Sequence, residues 1–159
     1  MSFVAAPPAN PPAAIADAIA GDGWWPDLSI AKFRDAMRIP TEVTDGRCRD
    51  ALVNGFVSAD AELARWRACR VDEGAASLDL VDGISIGGET RPVILWRRIV
   101  YAYAAADLAE THNDISATND SGARSDIDRR AAGAAEHRRN ATVAVRDLLG
   151  RTRSRVALL

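Results

Sequence analysis

RPVILWRRIVYAYAAADLAETH, residues 91–112, is the stretch whose reading decides the fold. At about 100° per residue, its apolar side chains Ile94, Leu95, Trp96, Ile99, Val100, Tyr103 and Leu108 fall all round the circumference instead of in one stripe. A helix that is apolar on every side must be covered on every side. Arg97, Arg98, Asp107 and Glu110 are spread through it, and mid-bilayer arginines cost about 2.5–3.5 kcal/mol each, so it is a poor membrane span. It therefore reads as the central helix of a bundle. Pro92 suits a first turn, where a missing N–H costs nothing, and Thr90 is placed to cap it. Ala102 to Ala106 form a flat patch open to close approach by another helix, from the same chain or a neighbouring subunit.

Working outward, the chain of 159 residues has the length of one domain, and folding at this size buries about 70% of the unfolded chain's surface. No metal or disulfide staple is needed. The net charge of −2 argues against general attraction to nucleic acid, but it conceals an asymmetry. From Arg129 onward eight arginines face only Glu136 and Asp147, a balance of +6 that leaves −8 for the residues before. The carboxyl-terminal part is the basic end. Cys48 and Cys69 fall within one predicted helix, about 31 Å apart along its axis, whereas bridged Cα atoms lie within about 7 Å. They cannot pair within the chain, and reduced chemistry is expected. The amino terminus lacks the basic segment and continuous apolar run of a signal peptide, which predicts no export.

Residues 1–23 carry Pro7, Pro8, Pro11 and Pro12 and read as an extended Ala/Pro-rich arm, either a loose tail or a strap that orders against a partner. Its AIADAIA portion has the makings of a short helix. Trp24 and Trp25 present too much apolar area for water and anchor the arm where the folded domain, residues 24–150, begins. Ser29 caps a short helix bearing Ile30, Phe33 and Met37, which Pro40 stops. Thr44 or Asp45 caps a long helix to about Arg70, with Cys48, Leu52, Phe56, Ala59, Leu63 and Trp66 at helical spacing and charged residues such as Arg47, Arg49, Asp60, Glu62, Arg65 and Arg67 on the other faces. Asp72 to Glu89 is a glycine-punctuated connection pinned by Leu78, Leu80, Ile84 and Ile86, whose alternation allows a hairpin-like segment. A polar elbow follows the central helix. A last helix then starts near Ser125, which has capping-box spacing to Asp128, and ends before Gly150. Residues 151–159 form a tail with a basic half and an apolar end. The fold class is all-α: a small bundle of about four helices with an extended N-terminal arm and a C-terminal tail.

Reaction chemistry is sparse. Neither His112 nor His137 has a cysteine or carboxylate cluster at metal-ligand spacing. The GISIGGET run shares only its glycines with phosphate-binding loops, because no lysine and hydroxyl follow. Asp114, Asp120, Asp126 and Asp128 fall in the elbow and at a helix start, where the helix dipole favours acids. No nucleophile and base stand at a recognisable spacing, so neither catalysis nor a cofactor is expected. The one electrostatic signal is the arginine set Arg129, Arg130, Arg138, Arg139 and Arg146 with Arg151, Arg153 and Arg155 in the tail. It is either a solvated helix face or a surface for duplex phosphates or an acidic protein, strong if repeated around a ring.

The order of features resembles the head completion proteins of temperate contractile-tailed phages, the gpL family. The corresponding elements are the aromatic-Pro-Asp start at Trp24 to Asp27, an Asp-Ala-Glu-Leu element at Asp60 to Leu63, and the turn at Asp82 to Ser85 before the central helix. The likeness spans roughly Trp24 to Leu159 and departs in the Ala/Pro arm and the alanine-rich last helix. It implies a virion protein made in the host cytoplasm: a head-tail connector that docks on the portal as a homo-oligomeric ring, usually of twelve copies, after DNA packaging. Such a ring seals the filled head and offers the tail terminator or another neck protein a platform, with double-stranded DNA in its lumen and no membrane. Arg151, Arg153, Arg155, Val156, Leu158 and Leu159 are then the portal-contact candidates, since arginines pair with acids while the apolar side chains fill clefts. Trp24, Trp25, Trp66, Trp96 and Tyr103 are candidates for core or subunit contact. The arginines from Arg129 to Arg146 face DNA or an acidic partner. The alternative is a DNA-binding helical module using the basic last helix, although no helix-turn-helix spacing supports it.

Overall fold

Helix α3, Arg91–Ser116, is the axis of the molecule. The structure is a computed structural model describing residues 16–116 and 123–151, with side chains described outside 112–131. From Leu95 to Ala106 every position of α3 is buried except Arg97, Arg98 and Tyr103, which fulfils the expectation drawn from its all-round apolar pattern. Helix α2, Asp45–Asp72, covers one side and α4, Ala123–Leu148, another. α3 outruns the predicted boundary and the elbow starts later, because extending a helix costs far less than nucleating one. α4 begins at Ala123, so Ser125 lies inside its first turn and not at a cap.

The alanine patch is closed within the chain. A Cβ built on Gly55 of α2 would lie 2.6 Å from the Val100 carbonyl oxygen and 3.0 Å from the Ala104 nitrogen, so only glycine lets the two backbones meet there. Ala51 and Ala59, one turn to either side of Gly55, are also buried. Ala102 and Ala106 border crevices shared with α4. The patch is therefore spent on the fold and is not a surface left for another subunit.

Two short sheets correct the purely helical expectation. Strand β1, Ala18–Ile19, pairs antiparallel with β2, Leu28–Ser29. The AIADAIA portion is thus extended where it is described, and Ile19 is buried in the core. Asp17 accepts the Ala31 N–H at 2.7 Å and the Ser29 hydroxyl at 2.8 Å, while Ser29 caps α1, Ile30–Met37, by accepting the Lys32 N–H at 3.1 Å. These bonds favour extended backbone over helix in the segment. Residues 16–23 of the assigned arm thus pack with the domain; residues 1–15 lie outside the described residues.

The second sheet is a hairpin, β3 Ser85–Ile86 with β4 Glu89–Thr90, turning through Gly87 and Gly88 at φ 62° and 85°. Of the four expected pins only Leu78, in a 3-10 turn over Leu78–Leu80, is buried; Leu80, Ile84 and Ile86 are more than half exposed. A two-residue strand beside a tight turn has no second layer to cover it. The Thr90 hydroxyl is buried with no hydrogen-bond partner, so it does not cap α3 as expected. Thr44 caps α2 through the Arg47 N–H at 3.4 Å. The ends of α1, α2 and α4 all close by the same backbone bond reaching back five positions, Ile39 to Arg34, Ala75 to Arg70 and Arg151 to Arg146, with Arg38, Gly74 and Gly150 left-handed between.

Candidate functional site

All four tryptophans converge. Trp25 stacks on Trp96 at 3.8 Å between centroids, Trp24 meets Trp25 edge-on at 4.5 Å and Trp66 at 6.1 Å, and Phe56 stands perpendicular to Trp96. The Trp25 Nε1–H donates to Asp60 at 2.7 Å and the Trp24 Nε1–H to the Ala75 carbonyl at 3.0 Å. Arg67 lies over both rings while bridging Asp22 at 2.6 Å and Asp60 at 3.3 Å. Burial pushes the Asp22 carboxyl up, but the Trp25 N–H, Arg67 and the Trp24 N–H outweigh it and hold it below the usual range. Trp24, Trp25 and Trp96 are buried and Trp66 half-buried. Tyr103, also half-buried, donates to Glu62 at 2.5 Å.

This arrangement explains the resemblance motifs in physical terms. The aromatic pair at residue 24 and the acid at residue 60 are two halves of one contact, and Leu63 is fully buried beside it. In the third motif a Cβ on Gly83 would lie 2.8 Å from the Pro92 ring, and the Arg91 N–H donates to the Ile84 carbonyl at 2.9 Å. The turn therefore sets the start of α3.

On the basic end, Arg138 is tied to Glu110 at 2.6 Å, whereas Arg139, Arg146 and Arg151 are exposed. The side chains of Arg129 and Arg130, and residues 152–159 with Arg153, Arg155, Val156, Leu158 and Leu159, lie outside the described residues. Where α4 ends, a groove of about 470 Å³ opens between it, the end of α2, residues 81–84 and the start of α3. Trp66, Leu95 and Leu148 line it, with Asp82, Asp147, Arg70 and Arg91 among its polar groups. The sequence reading missed this groove, and it missed a second apolar stripe on α2. Val53, Val57, Ala61, Ala64, Ala68 and Val71 all face outward, spaced 4, 4, 3, 4, 3, a signal hidden by the charges around it.

Among the described residues no group of three or more His, Cys, Asp or Glu could hold a metal ion. Cys48 is buried and burial pushes its thiol up, against the opposing pull of Arg34; Cys69 is exposed on the same helix. His137 borders a crevice with Met37, Ile94 and Tyr101, and the side chains of His112, Asp114, Asp120, Asp126 and Asp128 lie outside the described range. No helix among the described residues is long and apolar enough to cross a membrane.

What the described residues offer is surface for contact: paired charges and open apolar faces on a small helical scaffold held together by buried indoles. The chain belongs to the phage head completion protein family (GPL), whose family model matches residues 19–159. It is similar to the head completion/stabilization protein of Escherichia phage P2, at 30% identity over 95 residues, 60% of this chain and 56% of that one. It is also similar to the probable head completion/stabilization protein of Haemophilus phage HP1 (strain HP1c1), at 26% over 141 residues, 89% and 91% of the two chains. The match to the P2 protein thus spans little more than half of that protein's length. No solved structure matches the chain.

Proposed function

We propose that the protein is a structural, non-catalytic component of the virion neck. It docks as a ring of copies on the portal after DNA packaging, stabilises the filled head and gives the tail its attachment platform. The observation that carries this reading is that family membership extends to Leu159 and so includes the basic-apolar tail along with the folded body. In this reading the Ala/Pro-rich amino-terminal segment is an arm, the domain runs to Gly150, and Arg151, Arg153, Arg155, Val156, Leu158 and Leu159 reach the portal. Arginines suit portal acids, and the terminal apolar side chains suit clefts. The outward stripe of α2 supports contact between copies, and exposed Arg139 and Arg146 support a face toward DNA in the lumen or an acidic neighbour.

The test compares full-length protein with a version ending at Gly150, measuring attachment to purified portal rings by sedimentation and electron microscopy. Full-length protein attaches and the truncated one does not, while both keep the same helical circular dichroism. Attachment of the truncated protein overturns the tail assignment. Tight, steeply salt-dependent binding of duplex DNA by protein that never joins a portal favours the DNA-binding module instead.

A further inference from the structure

We infer that, in the unassembled protomer, the chain's own C-terminal segment, residues 152–159, lies in the groove between the ends of α2 and α4 and the start of α3. The inference is independent of the portal reading. The first observation is position. Leu148 and Asp147 form part of the groove wall, and the described chain ends three residues past Leu148, at Arg151, after the left-handed turn at Gly150. Extended at about 3.3 Å per residue, the segment reaches roughly 26 Å, ample to cross a groove beside its point of departure.

The second observation is that the groove is open and mixes apolar side chains, Trp66, Ile84, Leu95 and Leu148, with its charged ones. Its 470 Å³ falls in the range of about 300–1,000 Å³ that ligand pockets occupy. Ile84 on its edge is 65% exposed and Leu80, beside the adjoining crevice, 64%. Val156, Leu158 and Leu159 follow the groove residue Leu148 at eight, ten and eleven positions.

The third is charge. Arg70 is bonded to Glu73 at 2.7 Å and Arg91 to the Asp147 carbonyl at 3.4 Å, so the cations of the groove are engaged. No described residue pairs with the carboxylates of Asp82 or Asp147, which suit Arg153 and Arg155.

Cysteine cross-linking of dilute full-length protein tests this. In a Cys69→Ser background, Ile84→Cys with Leu158→Cys should form an intramolecular disulfide at least tenfold faster than Val57→Cys with Leu158→Cys, since Val57 is equally exposed but lies on the outward face of α2. Equal rates for the two pairs, or disulfides found only between chains, overturn the inference. Ending the chain at Arg151 should also shift the Trp66 indole N–H resonance, and an added peptide of residues 152–159 should restore it. An unmoved Trp66 signal counts equally against the docking.

Discussion

Trp25 does more than fill space, because its stack on Trp96 and its bond to Asp60 join the amino-terminal segment to two helices at once. Replacing it with phenylalanine keeps a ring in the stack and removes the donor to a carboxylate. We expect Trp25→Phe to cost about 2 kcal/mol, and Trp25→Ala about 3–5 kcal/mol, in urea unfolding followed by circular dichroism. Arg38 presents the opposite opportunity. It is the one described residue other than glycine with positive φ, 52°, and it closes the end of α1 where glycine is the usual choice. Arg38→Gly should raise stability by about 0.5–1 kcal/mol, the relief of left-handed strain exceeding the added unfolded-state entropy. A loss in the same assay contradicts this account of the cap. At this scale the sequence revealed that the adjacent tryptophans must be covered and that Ser29 and Thr44 cap helices. It did not reveal Asp60 as the Trp25 partner, since no local spacing tells an indole N–H which acid, thirty-five positions away, it will meet.

Gly55 fixes the approach of α2 to α3, so the element-scale test is Gly55→Ala. The new methyl meets backbone atoms at 2.6 and 3.0 Å, which can yield only if the helices separate. Helix propensity alone would make the change favourable by about 1 kcal/mol, yet the forced separation should dominate. We expect net destabilisation of about 1–3 kcal/mol; a stabilised protein would mean that the helices do not touch there. The helices were legible because each carries its own period, and the central one because its apolar residues left no free face. The connection was less legible. Leu80, Ile84 and Ile86 alternate as buried strand residues do, but burial depends on what packs above a strand, which the strand's own letters do not encode. The outward stripe of α2 escaped notice for a related reason: a helix with two apolar faces has little net amphipathicity, and its charges draw the eye to the wrong sectors.

Among the described residues a few acids and phenols depart from their ordinary titration ranges, and these predict how the molecule responds to pH. Glu89 is held below the usual carboxylate range by its two hydrogen bonds from Arg97, at 2.5 and 2.6 Å, against the opposing effect of burial. Asp17 is lowered by the Ala31 N–H and the Ser29 hydroxyl, and Asp22 by its partners around the indoles despite burial. Each of these groups binds a proton more readily in the unfolded chain. Their contribution is therefore present above the ordinary carboxylate pKa and is lost as the pH falls below about 4 and through the folded values. The phenols act at the other limit. Burial raises Tyr101, and burial with the bond to Glu62 raises Tyr103 further, so the folded state resists their ionisation. Stability is retained below about pH 10 and declines as the pH climbs past the unfolded phenol value toward the folded one. Urea midpoints measured from pH 2 to 11 should thus form a plateau with two shoulders. Glu89→Gln should lower the plateau and flatten the acid shoulder, and Tyr103→Phe should flatten the alkaline one. An acid shoulder of undiminished slope in Glu89→Gln would show that the Arg97 pair joining the hairpin to α3 carries no part of the acid response.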